Sequence, residues 1–156
     1  MLRTYAYPAD ITVDDDGRFV VAFADLPEAL TDGATLDEAL REASDCLSEA
    51  LAARLAGKEP IPKPSPLNGR QLIAPELTLS LKLAINQAMA DQKFTAAKLA
   101  KALDIDHKEA RRLLDPRETS SKASRLERAL SALGIVATPN FRYRRPAAAP
   151  KRVAKG

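Results

Sequence analysis

Three consecutive carboxylates, Asp14–Asp16, are the densest group of side chains that could bind a metal ion. A two-metal nuclease needs acids that converge from separate strands, whereas neighbouring residues of a turn point in different directions. The single cysteine, Cys46, and the single histidine, His107, have no partner in the sequence that would make them a nucleophile or a general base. We therefore predict no catalytic residue, no metal site and no cofactor, and we expect that the chain is not an enzyme.

The charged side chains are divided unevenly along the sequence. Residues 1–75 contain 7 Lys and Arg against 13 Asp and Glu, a net charge of −6, whereas residues 76–156 contain 17 against 8, a net charge of +9. A basic segment is the electrostatic footprint of nucleic-acid binding, and an acidic segment favours a basic protein partner. The asymmetry predicts two units with different partners, and the alternative is that each charged surface is only solvated.

Alternating apolar residues predict an antiparallel hairpin at the start of the chain. Residues 5–13 and 18–24 each place every second side chain on one face. Gly17 between them favours the left-handed backbone of a tight reversal. Residues 29–34, which follow Pro27, are predicted as a loop.

A long helix is predicted next. Thr35 and Glu38 match a capping box, in which the Thr35 hydroxyl accepts from the Glu38 amide and the Glu38 carboxylate reaches back to the Thr35 amide. Apolar residues at helical spacing continue to about Ala56. Gly57 is placed to be the left-handed residue that ends the helix.

Proline occupies every second position of residues 60–66. Because proline excludes both helix and central strand, this segment is predicted to be a semi-rigid extended connector. The short apolar segment at residues 71–74 could add a third strand to the hairpin.

Two motifs lie between the hairpin and the long helix, Asp25-Leu26-Pro27 and the sequence TDGATLDEAL at residues 31–40. Together with the strands before them and the prolines after them, they resemble the HicB family of bacterial antitoxins. The resemblance covers most of the first 66 residues. Family members commonly carry glycine after Asp-Leu-Pro, where this chain has Glu28.

The resemblance implies a partial ribonuclease H-like fold without its activity, which binds and masks HicA, a small basic ribonuclease toxin. The net charge of −6 agrees with such a partner. We expect the acidic surface to face the RNA-binding surface of the toxin, with contact residues Asp14, Asp15, Asp16 and Asp25.

The basic half predicts a series of short helices. Residues 79–91 and 122–133 have helical spacing, and between them Thr95 and Asp106 are placed to cap two helices at 96–103 and 107–114. The segment 95–114 resembles the helix-turn-helix of phage-repressor-like domains. The residues that carry this resemblance are Ala100 at the helix contact, Ile105 in the turn and Leu113 in the core, with Asp104 where the family usually has glycine.

The helix-turn-helix resemblance implies that the helix at 107–114 enters the major groove of operator DNA. His107, Lys108 and Arg111 are then expected to face base edges. The residues expected at phosphates are Thr95, Lys98, Arg112, Arg117 and Lys122. In the simpler alternatives, His107 is only an exposed residue at a helix start, and Glu109 forms an ordinary surface pair with Arg112 or Arg117.

We interpret the sequence as a two-domain α+β protein, in which a partial ribonuclease H-like (ββα-β) module precedes an all-α helix-turn-helix domain. The predicted units are a toxin-binding module (1–58), a connector (59–75), a DNA-binding domain (76–140) and a basic disordered tail (141–156). The predicted function is that of an antitoxin in a type II toxin-antitoxin pair, which masks a HicA-like toxin and represses its own operon as a homodimer or tetramer.

The sequence contains no apolar stretch of the roughly 20 residues that a membrane-spanning helix needs and no signal-peptide pattern, so a cytoplasmic protein without membrane contact is expected. The alternative function is a ligand-responsive helix-turn-helix transcriptional repressor without a toxin partner. That alternative predicts operator binding that responds to a small molecule.

Overall fold

The structure is a computed structural model that describes residues 3–143 and 150–153. Antiparallel strands and one long helix come first and shorter helices follow, which confirms the predicted α+β class. The elements in chain order are β1 (Tyr7–Val13), β2 (Phe19–Ala22), β3 (Leu30–Gly33), α1 (Leu36–Ala56), β4 (Gln71–Ile73), α2 (Leu77–Gln92), α3 (Ala96–Leu103), α4 (His107–Leu114), α5 (Ala123–Ala132) and β5 (Lys151–Arg152).

The sheet has the strand order β3-β2-β1-β4, and these neighbours are antiparallel. β1 and β2 form the predicted hairpin, with Asp10 opposite Ala22 and Gly17 in the left-handed region at φ +79°. β4 pairs with Tyr7–Ala9 on the other side of β1, which confirms the strand predicted at 71–74.

The prediction of a loop at residues 29–34 is wrong, because β3 pairs with β2 along its whole length. β3 lies at the edge of the sheet and is mostly polar, so it shows none of the apolar alternation that marks a strand. Gly33 allows the close approach of β3 to α1. A Cβ added to Gly33 would lie 2.4 Å from the backbone nitrogen of Ala39.

α1 lies across one face of the sheet and forms the first hydrophobic core. Its buried residues are Ala39, Leu40, Ala43, Leu47 and Leu51, and they pack with Tyr7, Val21, Phe23 and Leu26. This is the stripe that the helical spacing predicts. The sheet and α1 therefore form a two-layer unit in the acidic half of the chain.

The two ends of α1 differ in detail from the prediction. Thr35 Oγ1 accepts from the Glu38 amide at 3.1 Å as expected, but the Glu38 carboxylate accepts from the Ala34 amide at 2.8 Å instead of the Thr35 amide. At the other end Gly57 is not left-handed, since its φ is −78°. Lys58 takes that conformation at φ +55° and closes a Schellman motif, so the left-handed residue comes one position later.

α2 packs into both hydrophobic cores of the described chain. Leu79 and Leu83 are buried in the first core, whereas Ile85 and Met89 are buried in the second core with residues of α3, α4 and α5. The predicted domain boundary at residue 75 lies just before this helix. The acidic and basic halves are consequently joined by a shared helix in addition to the proline-rich connector.

The predicted disordered tail, residues 141–156, falls largely on positions 144–149 and 154–156, which lie outside the described residues. Within its described part, Lys151–Arg152 forms the short strand β5. This strand pairs in parallel with Thr12 and Val13, beyond the end of β4. The spacing in the sequence gives no indication of this pairing.

The connector is held on the first core by Tyr7, whose hydroxyl donates to the Pro62 carbonyl at 2.7 Å. Burial, with smaller contributions from Tyr5 and Asp25, raises the pKa of Tyr7 from 10.0 to about 12. The folded chain therefore keeps this phenol proton at pH values where the unfolded chain releases it. The resulting stabilisation is complete below pH 10 and is lost as the pH rises through 12.

We predict that Tyr7→Phe removes part of the loss of stability between pH 10 and pH 12. The variant should be less stable than the parent at neutral pH by about 1 kcal/mol, because one hydrogen bond is missing, and the difference should shrink at alkaline pH. Urea unfolding at several pH values measures both effects. A constant difference from pH 8 to pH 12 would contradict the prediction.

Candidate functional site

The acidic turn, residues Asp14–Asp16 between β1 and β2, is organised by its first member. One carboxylate oxygen of Asp14 accepts from the amide of Asp16 at 3.0 Å and from the amide of Arg18 at 2.8 Å. Asp15 and Asp16 are exposed at the tip of the turn. Asp14 thus shapes the turn, and the other two aspartates present the charge.

Asp25, the fourth predicted acidic contact residue, lies beyond the opposite end of β2 from the acidic turn. Its carboxylate is half-buried and accepts from the amide and the hydroxyl of Ser65 at 2.9 and 3.0 Å. Arg70 in turn donates to the Ser65 hydroxyl at 3.0 Å. The structure therefore does not bring the four predicted acids together, and Asp25 anchors the connector.

The structure also places the side chains that could bind a metal ion and the single cysteine. Within residues 3–143 and 150–153, no three His, Cys, Asp or Glu side chains are placed to hold a metal ion. Cys46 is half-buried on α1 and its thiol contacts the Leu30 carbonyl at 3.7 Å. Burial raises the pKa of this thiol, so the environment disfavours the reactive thiolate.

A second acidic surface lies on α1. Glu42, Asp45 and Glu49 are exposed, and their separations of three and four residues place them along one face of the helix. The spacing of these acids after the capping box already indicates such a surface in the sequence. None of the three was among the predicted contact residues.

Glu28 occupies the position where the resemblance leads us to expect glycine. It pairs with Arg54 of α1, which donates to both of its carboxylate oxygens. The hydrogen bond from Arg54 lowers the pKa of the Glu28 carboxyl. Arg54 also donates to the Pro60 carbonyl at 3.0 Å, so the side chain that replaces glycine helps to join the loop, α1 and the connector.

α3 and α4 form a basic helix pair joined by a short turn, as predicted. Thr95 caps α3 by accepting from the Lys98 amide at 3.2 Å, and Asp106 caps α4 by accepting from the Glu109 amide at 2.7 Å. Asp104 adopts the left-handed conformation at φ +53°. The spacing and the caps in the sequence therefore predicted the local geometry of this segment correctly.

All side chains predicted to contact DNA are exposed, and they are Thr95, Lys98, His107, Lys108, Arg111, Arg112, Arg117 and Lys122. Lys108, Arg112 and Lys122 line one cleft of about 470 Å³ between α4 and the start of α5. Arg117 lines a different groove, beside Ser48 and Glu49 of α1. The structure thus brings three residues of the predicted set together at one cleft and places Arg117 at another.

The charged pairs around α4 differ from those expected. Glu109 forms an ion pair with Arg125 of α5 and not with Arg112 or Arg117. The reason is that the start of α5 lies across the cleft from the first turn of α4. Arg112 lies 3.5 Å from the carboxylate of Glu118, and its side chain is 59% exposed, so this pair leaves its charge accessible.

A buried lysine on α2, which was not predicted from the sequence, holds the end of α4. Lys82 is only 1% exposed, and its ammonium group donates to the carbonyls of Arg112 at 3.3 Å, Asp115 at 2.7 Å and Glu118. Burial lowers the pKa of Lys82, and the charges of Glu118 and Asp115 oppose this effect. Its position three residues after Leu79, on the buried face of α2, was the available signal.

Asn86, one turn after Lys82, donates to the Leu114 carbonyl at 3.1 Å. The last carbonyls of a helix have no partner within the helix, so these side chains supply the missing donors. Lys82 also places a positive charge at the negative end of the α4 dipole. α2 therefore fixes the position of α4 by polar contacts as well as by packing.

Comparisons with known proteins relate the chain to one group. Residues 6–91 match the family described as HicB_like antitoxin of bacterial toxin-antitoxin system. The chain is 32% identical over 134 residues to antitoxin HicB 1 of Photorhabdus laumondii, which covers 86% of this chain and 85% of that protein. It is 33% identical over 129 residues to antitoxin HicB of Escherichia coli K12, which covers 82% of this chain and 93% of that protein.

We predict that Lys82→Met lowers the free energy of unfolding by about 1–3 kcal/mol, because buried carbonyl groups lose their donor. Lys101→Met, which removes an exposed lysine from α3, is the matched control and should have little effect. Urea unfolding followed by circular dichroism compares the two. Equal stability of the Lys82→Met variant and the parent would show that the buried ammonium group does not hold α4.

Proposed function

Since the chain belongs to the family of HicB-like antitoxins of bacterial toxin-antitoxin systems, we propose that it masks a small, basic, HicA-like ribonuclease toxin and represses its own operon. The observation that carries the proposal is the extent of the similarity. The family match covers the whole first core, and alignments over 82–86% of the chain must include the α3–α4 pair as well.

In this proposal the sheet and α1 form the partial ribonuclease H-like module that binds the toxin. The net charge of −6 over residues 1–75 supports a basic partner. Asp15 and Asp16 are exposed and contact the toxin directly, whereas Asp14 and Asp25 keep the turn and the connector in place for that contact. The module masks the toxin by occupying its surface and performs no catalysis.

The basic helix pair forms the proposed helix-turn-helix, and α4 is its recognition helix. His107, Lys108 and Arg111 are exposed on its first turns and contact base edges. The proposed phosphate contacts are Thr95, Lys98, Arg112, Arg117 and Lys122. Arg117 lies in a separate groove, so we expect its contribution to be the smallest.

A single helix-turn-helix domain contacts too few base pairs for strong selectivity, and operators of such proteins have two-fold symmetry. We therefore propose that the chain binds its operator as a homodimer or a tetramer, in the cytoplasm, where the DNA and the toxin are found. In the described part of the chain, no helix has both the length and the apolar character required to cross a membrane.

We predict that Arg111→Ala weakens binding to operator DNA by about 1–3 kcal/mol, roughly 5- to 150-fold, and reduces the preference for the operator over other sequences. Lys98→Ala should weaken binding to all duplexes alike and reduce the salt dependence by about one phosphate contact. Fluorescence anisotropy with the DNA upstream of the gene measures both.

Arg41→Ala is the matched control for these variants, because Arg41 is exposed on α1 in the acidic half. It should bind DNA like the parent. If Arg111→Ala leaves both affinity and sequence preference unchanged, α4 is not the recognition helix. If the parent binds the upstream DNA only when a small molecule is present, the chain is a ligand-responsive repressor and the proposed function is wrong.

We predict that the double substitution Asp15→Asn and Asp16→Asn weakens toxin binding and flattens its salt dependence, because two exposed charges are removed from the contact. Asp14 is retained in this variant, since it builds the turn. Glu127→Gln on α5 removes an exposed charge from the basic half and is the control. Calorimetric titration at two salt concentrations makes the comparison, and unchanged affinity would remove the acidic turn from the interface.

A further inference from the structure

The edge of β1 opposite β2 is shared by two different segments. β4 pairs antiparallel with Tyr7–Ala9, and β5 pairs in parallel with Thr12 and Val13. The Val153 amide donates to the Val13 carbonyl at 3.1 Å. The sheet thus accepts an extended segment from the far end of the sequence at the place where β4 has ended.

The charges of the two partners are complementary. β5 consists of Lys151 and Arg152, and it pairs with the last two residues of β1, immediately before the acidic turn. From Arg142 to the end of the sequence there are six Lys and Arg and no Asp or Glu. The two cations of β5 therefore lie next to the strand end that leads into the acidic turn, and opposite charges favour this contact at low ionic strength.

The contact is small. Lys151 and Arg152 are both exposed, and Val153 is 56% exposed, so little apolar surface is removed from water. Backbone pairing with two residues of β1 and the hydrogen bond from Val153 hold the segment in place. A contact of this kind is weak and reversible.

We propose that this β1 edge is a docking site for an extended basic segment, that the C-terminal segment 150–153 of the same chain occupies it in the free protein, and that docking withholds the tail cations from DNA. The phosphate backbone of DNA attracts the same cations, so the acidic turn and the duplex compete for them. The last of the three statements rests on the DNA binding proposed above, and the first two do not.

The test uses two variants of the full chain that differ in one hydrogen-bond donor. Val153→Pro removes the amide that donates to Val13, because proline has no backbone N–H, whereas Val153→Ala keeps it. Neither substitution changes the charge. A nitroxide spin label is attached at Lys155→Cys in a Cys46→Ala background, and the amide signals of Thr12–Asp16 are followed by NMR.

Docking in the same chain should broaden the signals of Thr12–Asp16 in the parent and in Val153→Ala. The broadening should be lost in Val153→Pro and at high salt. Absence of broadening in the parent would overturn the docking site. A mixed sample tests whether the docked segment comes from another copy. It contains isotope-labelled chains without the spin label and spin-labelled chains without the isotope, and the signals of Thr12–Asp16 should not broaden. Broadening in this sample would show that the tail of a second copy occupies the edge instead.

Binding to a duplex without the operator sequence tests the competition. Val153→Pro should bind more tightly than Val153→Ala at low salt, and each freed cation should add about 0.9 to the magnitude of the slope of log affinity against log salt. If NMR shows docking but Val153→Pro and Val153→Ala have equal slopes, docking does not withhold the tail cations from DNA. Failure of all chains to bind DNA would contradict the proposed operator binding. The docking site itself would then be decided by the NMR experiment alone.

Discussion

α2 buries Leu79 and Leu83 in the core of the sheet and Ile85 and Met89 in the core of the helical half. Between these contacts, the buried ammonium group of Lys82 holds the Arg112 carbonyl in the last turn of α4 and the Asp115 carbonyl just after it. Well-packed cores do not deform continuously, so a helix that belongs to two cores relates their positions to each other. The family match ends at residue 91, next to the last residue of α2, so this helix is within the part of the chain that characterises the family.

The shared helix α2 joins the acidic half of the chain to the basic half. An acidic module and a basic helix pair are held in one chain, which agrees with the proposed binding of a basic protein and a polyanion at separate surfaces. The proposed recognition helix is supported from behind by α2, which also carries part of the first core. The surfaces proposed for toxin binding and for operator binding are thereby connected through one helix. The short contact between β5 and β1 adds a second, weaker connection, in which Lys151 and Arg152 lie next to the end of β1 that leads into the acidic turn.

Much of the fold could be predicted from short-range chemistry. The hairpin, the stripe of α1 and the caps of α3 and α4 depend on residues close together in the sequence, so their patterns are visible there. β3 was missed because a polar edge strand lacks alternation, and its glycine is explained only by contact with α1. The structural roles of Lys82 and Asp25 were not predicted, for a common reason. Their partners lie about 30 to 40 residues away, and only the folded chain shows that both side chains serve the structure.

The proposed neutralisation of a toxin by this chain is best tested by measuring cell growth. Cells would express the small open reading frame adjacent to this gene, alone and together with the full-length chain. We expect growth arrest by the adjacent product alone and normal growth when the chain is present, and the two proteins should purify as one complex. Absence of arrest, or arrest that the chain does not relieve, would contradict the account.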